Sequence, residues 1–257
     1  MAQLMNSTEK IYLHVKPQYI AYLDILGYKA KIKEVGGVEK LLQAIYSGIE
    51  QAKDIIRETT QNEEIEDISL RVFSDNILLC SETKWDVLVA IAALSQAEFL
   101  RRGIFIRGTL CYGKLCVHSE FVFGEGVILA HEIESEIVIF PRILLHESFT
   151  DAVNTYGQRA DPNNVFEFIG KGAPNFVDFD GFMVLDYINC IEAFLYPNTN
   201  LIVDFYKNHM QVIAVNLNKQ ISGRVLQKFQ WVKNYHNYCI NRRKKINDVD
   251  LEEFLIL

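Results

Sequence analysis

The chain has 257 residues, 49% of them apolar, and a formal net charge of −7. That length and apolar content suit one large domain, or one medium domain with an extension, whose core needs no disulfide or metal staple. The acidic balance argues against broad coating of nucleic acid and against adsorption to anionic lipid, both driven by lysine and arginine on phosphate, so an anionic ligand would have to be held locally.

In chain order, YIAYLDI (19–25) is a short apolar run of aromatic and β-branched residues ending on an acid, which predicts a buried strand. Gly27 opens a segment of helix formers, and after Gly36-Gly37 the apolar residues Val38, Leu41, Leu42, Ile45, Ile49, Ala52 and Ile56 recur at helical spacing. The polar TTQNEEIED leads to SLRVF, a turn at SDN, then ILLC, the pattern of a hairpin. WDVLVAIAALSQAEFLRRG predicts a second long helix; IFIRGTLCYGKLCV and EFVFGEGV predict strands, GVILAHEIES a short helix and VIFPRILLH another strand. From about residue 151 the character changes: GQRADPNN and GKGAPN read as loops, FMVLDYI as a strand, and 201–245 as helical with a polar break at NKQISGR. The order predicts an α+β, ferredoxin-like antiparallel-rich sheet with helices on one face over 1–150, and a mainly helical extension over 151–257 packed on the same domain.

Five cysteines (80, 111, 116, 190 and 239) are an odd number without a CxxC pair, as expected for buried free thiols in a reducing compartment. MAQLMNSTEK lacks the pattern of a secretion signal, and no run approaches the ~20 apolar residues of a membrane span, so a cytoplasmic protein is expected. The basic run RRKK at 242–245 reads as solvated surface.

Asp24 ends the first strand and Asp75 sits at the hairpin tip, two places that such a sheet brings together. Paired carboxylates repel unless a divalent cation lies between them, so the pair points to a metal. The turn after Asp24 enters a helix, whose amides and dipole favour an anion. The plain alternative makes Asp24 a helix cap and Asp75 a turn residue.

These segments resemble a known family. LDILGYK resembles the FxDIxGF motif of class III nucleotidyl cyclases, RVFSDNILL the hairpin bearing their second metal aspartate, and IRGTLCYGKL their R-x-G-I-x-x-G strand. The likeness is nearest to the pyrimidine (uridylate or cytidylate) cyclases of bacterial Pycsar anti-phage systems, and spans roughly 18–146. It implies cyclisation of UTP or CTP with release of pyrophosphate, two Mg²⁺ or Mn²⁺ ions on Asp24, Asp75 and the Ile25 carbonyl, and phosphates cradled by the backbone of Ile25, Leu26, Gly27 and Tyr28. It puts Arg71 in the base-reading place and implies a homodimer with active sites at the interface.

One departure stands out. Where the family carries a helical asparagine and arginine that stabilise the transition state, this chain has Ile128 and Glu132. Arg107, Lys114 and Arg142 are the candidate replacement cations, although Glu132 and Glu134 can instead pair with them; Arg107 and Arg142 are taken as catalytic. His118 and His131 are read as surface residues. Two rivals stay open: an inactive cyclase-like nucleotide sensor or interaction module, and a nucleic-acid-binding ferredoxin-like fold, which the acidic charge disfavours.

Overall fold

The computed structural model describes residues 14–60, 64–118, 120–156, 175–219 and 222–257. Strand β1 (Lys16–Ile25) is apolar in both registers because it is buried on both faces. Tyr19, Ala21, Leu23 and Ile25 point into the larger core, and Ile20 and Tyr22 into a smaller core on the opposite face. Asp24 falls in the second register, at the end of the row begun by Ile20 and Tyr22.

β1 lies between two antiparallel partners. On one side is β3 (Asn76–Ser81), which forms a hairpin with β2 (Ser69–Phe73); on the other is β4 (Ile106–Val117). The sheet runs β2-β3-β1-β4-β6-β8-β7, where β6 is Ile143–Leu145, β7 Asn175–Val177 and β8 Met183–Leu185, with the short β5 (Val122–Phe123) on β4. All these pairs are antiparallel except β4–β6. The fold is α+β, and its last two sheet strands come from the C-terminal half. A separate ribbon joins β9 (Lys245–Ile246) and β10 (Val249–Asp250).

Contrary to the sequence expectation, the helices do not all keep to one face. α1 (Tyr28–Val35), α2 (Val38–Thr60), α3 (Trp85–Arg101), α5 (Glu147–Tyr156), α6 (Tyr187–Leu195), α7 (Thr199–Leu217) and α8 (Gly223–Arg243) contribute to the larger core. α4 (Glu125–Glu136) covers the other face through Ala130 and Ile133. It is seated by glycine: a Cβ on Gly113 would come within 2.7 Å of the Gly126 Cα, and one on Gly126 within 2.5 Å of Ile20 Cδ1. Every α3 residue from Asp86 to Leu100 is buried, because the sheet and the helices α2, α6 and α7 enclose it. Two expected strands are shorter than read: helix α4 starts within EFVFGEGV, and Pro141, which has no N–H to donate, precedes β6. GQRADPNN and most of GKGAPN lie outside the described residues. All five cysteines are free and buried.

The C-terminal half is tied together by buried polar chains. Phe254 O accepts from His236 Nε2 (2.9 Å), so the neutral ring presents Nδ1 as an acceptor to His209 Nδ1 (2.9 Å). His209 Nε2 then accepts from the Tyr187 hydroxyl (2.7 Å). Asn237 exchanges two hydrogen bonds with the Ile256 backbone. Buried Asp186 accepts from Tyr235 (2.7 Å) and from Arg242 (2.8 Å), so the RRKK run lies at the surface as expected while its exposed Arg242 reaches in to neutralise a buried acid.

Burial, with His236 alongside, holds His209 well below the ordinary imidazole range, and burial lowers His236 to about 4. Below pH ~6.5 the unfolded chain takes up protons that these folded rings refuse, so stability falls with decreasing pH, by up to ~1.4 kcal/mol per pH unit for each ring. The urea unfolding midpoint should therefore drop between pH 6.5 and 5, and the slope should lessen in His236→Gln; a flat wild-type midpoint over that range contradicts the chain of neutral rings.

Candidate functional site

The two aspartates meet at one end of the sheet. Asp24 pairs in register with Asn76 on β3 and Arg107 on β4, while the Ile25 amide donates to the Asp75 carbonyl at 2.9 Å. Asp75 follows Ser74, which occupies the left-handed region (φ 56°), in a two-residue turn between Phe73 and Asn76. Its carboxylate accepts weakly from Asn76 Nδ2 (3.3 Å). Neither aspartate is a helix cap: α1 is entered through Gly27, at φ 69°, which any side chain would strain.

Arg107 sits directly across from Asp24. Its Nε donates to Asp24 Oδ2 (2.9 Å), Nη1 to the Val138 carbonyl (2.6 Å), and Nη2 lies 2.5 Å from Glu134 Oε1. The expected pairing of Glu134 with a cation therefore occurs, inside one chain, with α4 pressing its buried carboxyl onto the β4 arginine. Burial raises the Glu134 pKa, Arg107 opposes the rise, and Asp24 adds to it. Burial first, and then Glu134, Asp24 and Asp75, push the Tyr22 hydroxyl up to about 12. Three carboxyl groups thus act on one tyrosine. His131 is exposed, its ring edge-on to Tyr22 at 6.2 Å and its Nδ1 3.8 Å from Glu134.

The remaining expected residues are distributed more widely. Of the four backbone positions proposed to cradle phosphate, the Ile25 and Leu26 amides already donate to Asp75 and Phe105, which leaves Gly27 and Tyr28 at the opening of α1. The Tyr28 side chain packs on the larger core. Arg71 lies across from Leu78, in the same register as Tyr22, and donates to the Leu70 and His118 carbonyls (2.8 and 3.2 Å), while its buried Nε has no partner among the described residues.

Arg142 departs from its expected role. It is 1% exposed, its Nη atoms are bound to Asp178 and Asp180, and Asp178 also accepts from the Trp231 indole (2.8 Å). Its guanidinium fastens the β7–β8 turn instead of facing Asp24, as expected for a buried cation that must be paired. Lys114 stands seven residues along β4 from Arg107, about 23 Å away at strand rise, and cannot join the carboxylates. Ile128 and Glu132 are exposed on α4.

α8 adds residues that the sequence reading did not single out. A cleft of about 360 Å³ opens beside the Leu26-Gly27 turn, floored by Phe105 and Phe229 and edged by Lys31 and Lys228. Lys228 is within electrostatic reach of Asp24, Glu134 and Arg107. Its position in the stretch LQKFQWVKNYHNY carries no distinctive pattern, because only tertiary packing turns that face of α8 toward β1.

The donors at this sheet end are hard oxygens carrying more negative charge than Arg107 balances, and they fit Mg²⁺ or Mn²⁺. Among the described residues no group of three or more His, Cys, Asp and Glu side chains is placed to hold a metal ion. The chain matches no known family model and no characterised protein. Among the described residues no helix is long and apolar enough to cross a membrane.

Removing the arginine would leave two largely buried carboxylates without a countercharge. Arg107→Met should destabilise the protein by ~3–5 kcal/mol in chemical denaturation, and Arg107→Met/Glu134→Gln should recover part of that loss. Equal stability of the single and double variants would exclude the coupling.

Proposed function

We propose that this protein is a class III-like nucleotidyl cyclase that converts a pyrimidine nucleoside triphosphate, UTP or CTP, to its 3′,5′-cyclic monophosphate and pyrophosphate, as a second messenger in anti-phage defence. The observation that carries this reading is the meeting of Asp24 and Asp75 at one sheet end, joined by the 2.9 Å bond from the Ile25 amide to the Asp75 carbonyl. Further support comes from the strand order β2-β3-β1-β4, which a ferredoxin-like pair of split βαβ units produces, with LDILGYK, FSDN and IRGT all at the β1–β3–β4 junction.

Asp24, Asp75 and the Ile25 carbonyl would hold two divalent ions, which when bound lower the pKa of the ribose 3′-hydroxyl and neutralise the leaving phosphates. The 3′-oxygen attacks the α-phosphorus, the bond from that phosphorus to the β-phosphate oxygen breaks, and the hydroxyl proton passes to solvent. Arg107, oriented by Glu134 and Val138, stands beside Asp24 where charge builds on the reacting phosphate. Arg71, whose buried Nε is unpartnered among the described residues, is the base-reading candidate on the same face. Exposed Phe73, Phe123 and Ile128 on the hairpin, β5 and α4 supply apolar surface for a two-fold homodimer over this face.

The competing reading is an inactive cyclase-like sensor or interaction module. It draws on Arg107 already occupying Asp24, and on Ile128 and Glu132 standing where the family has asparagine and arginine.

Incubation with Mn²⁺ and each of the four NTPs should yield a cyclic product from UTP or CTP, and Asp24→Ala and Asp75→Ala should each abolish it while the circular dichroism spectrum is unchanged. Full activity in either folded variant refutes the assignment. Specific activity should also fall on dilution through the dimer's dissociation constant; activity that stays constant far below it counts against a shared site.

A further inference from the structure

A cation already sits on Asp24, supplied by the same chain. The register of β1 and β4 sets Arg107 across from Asp24, and the guanidinium donates from Nε to Asp24 Oδ2 (2.9 Å) while Nη2 lies 2.5 Å from Glu134 Oε1 on α4. Nη1 donates to the carbonyl of Val138, just beyond that helix (2.6 Å). All three nitrogens of the guanidinium are therefore committed. A Mg²⁺ ion sits about 2.1 Å from a carboxylate oxygen, so an ion on Asp24 Oδ2 and the nitrogen now on that oxygen would stand no more than about 5 Å apart. Like charges that close, in a partly buried site, repel strongly.

The contact with Asp24 is the one that can be given up. Nη1 and Nη2 are both held from the α4 side, so a guanidinium that leaves Asp24 keeps a carboxylate and a carbonyl and is not left buried and unpaired. Asp24, in contrast, needs a cation of one kind or another, because it shares the sheet end with Glu134 and Asp75, and all three carboxylates act on the Tyr22 hydroxyl. Three carboxylates against one guanidinium leave room for a second cation at this end of the sheet, but not for two cations on one oxygen.

We propose that Arg107 is an autoinhibitory counter-cation: without metal it occupies Asp24, and a divalent cation binds that carboxylate only by displacing Arg107 Nε, the guanidinium then resting on Glu134 and the Val138 carbonyl. This rests on the cyclase reading for the metal site and adds its regulation. The exchange also frees the donor that a transition-state role for Arg107 requires. Glu134 is a positioning residue in this scheme, the anchor that keeps the displaced arginine beside the site.

Mn²⁺ alone is the probe, titrated into the full-length protein without nucleotide, with free and bound ion distinguished by electron paramagnetic resonance. Wild type should bind Mn²⁺ weakly, and Arg107→Gln should bind it roughly tenfold more tightly or better. Asp24→Asn, alone or combined with Arg107→Gln, should remove that tight binding. Arg57→Gln, which deletes an arginine paired to Asp54 and Glu66 at the surface, should leave the wild-type affinity unchanged. Equal affinity in wild type and folded Arg107→Gln overturns the proposal, and so does an equal gain in Arg57→Gln. Should Arg107→Gln unfold, Arg107→Met/Glu134→Gln takes its place, and affinity no tighter than wild type in that folded variant overturns the proposal. A cyclic product from wild type with UTP or CTP, together with unchanged Mn²⁺ affinity in Arg107→Gln, would leave the cyclase reading standing and remove this one. Tighter Mn²⁺ binding in Arg107→Gln with no cyclic product from wild type and any NTP would do the reverse.

Discussion

The register of β1 between β3 and β4 is the constraint on which the rest depends. Side chains alternate along a strand, so sending Tyr19, Ala21, Leu23 and Ile25 to the larger core obliges Ile20, Tyr22 and Asp24 to face α4. A slip of one residue would bury Asp24 among the helices of the larger core and turn Tyr19, Ala21, Leu23 and Ile25 into the smaller core shaped around Ile20 and Tyr22. The same register puts Asp24 opposite Arg107 and brings the hairpin tip to the Ile25 amide. Core packing and site geometry are therefore one decision, enforced by burial on both faces of a single strand.

Within that frame the charges sort themselves by depth. Arg142 is fully buried and held by Asp178 and Asp180, so it acts as a strut. Arg107 is only partly buried, and it bridges strand to helix through Asp24 and Glu134. Lys228 is half-buried and lies within the field of the same groups. The gradient runs from closed structural pairing at the β7–β8 turn to the partly buried charges grouped around Asp24. The neutral chain through Tyr187, His209 and His236 follows the same rule at its extreme, since rings with no exposure are held uncharged and fully hydrogen-bonded.

Closing of the sheet by C-terminal strands explains why the extension is not an independent unit. β8 pairs with β6, and α6, α7 and α8 finish the core that α2 and α3 begin. The segment bearing Lys228 is thereby delivered to the end of β1 by packing alone.

Much of this was readable from residues. The apolar run ending at Asp24, the SDN turn carrying Asp75, the helical spacing of α2 and the polar break between α7 and α8 are local patterns, set by strand and helix periodicity and by turn chemistry, and the elements formed where those patterns stood. Which face α4 covers, which carboxylate each arginine meets, and which side of α8 turns inward were decided only in three dimensions. An arginine in a strand looks the same in sequence whether it ends beside Asp24 or between Asp178 and Asp180, because ion pairing joins residues tens of positions apart and depends on burial that no local window records.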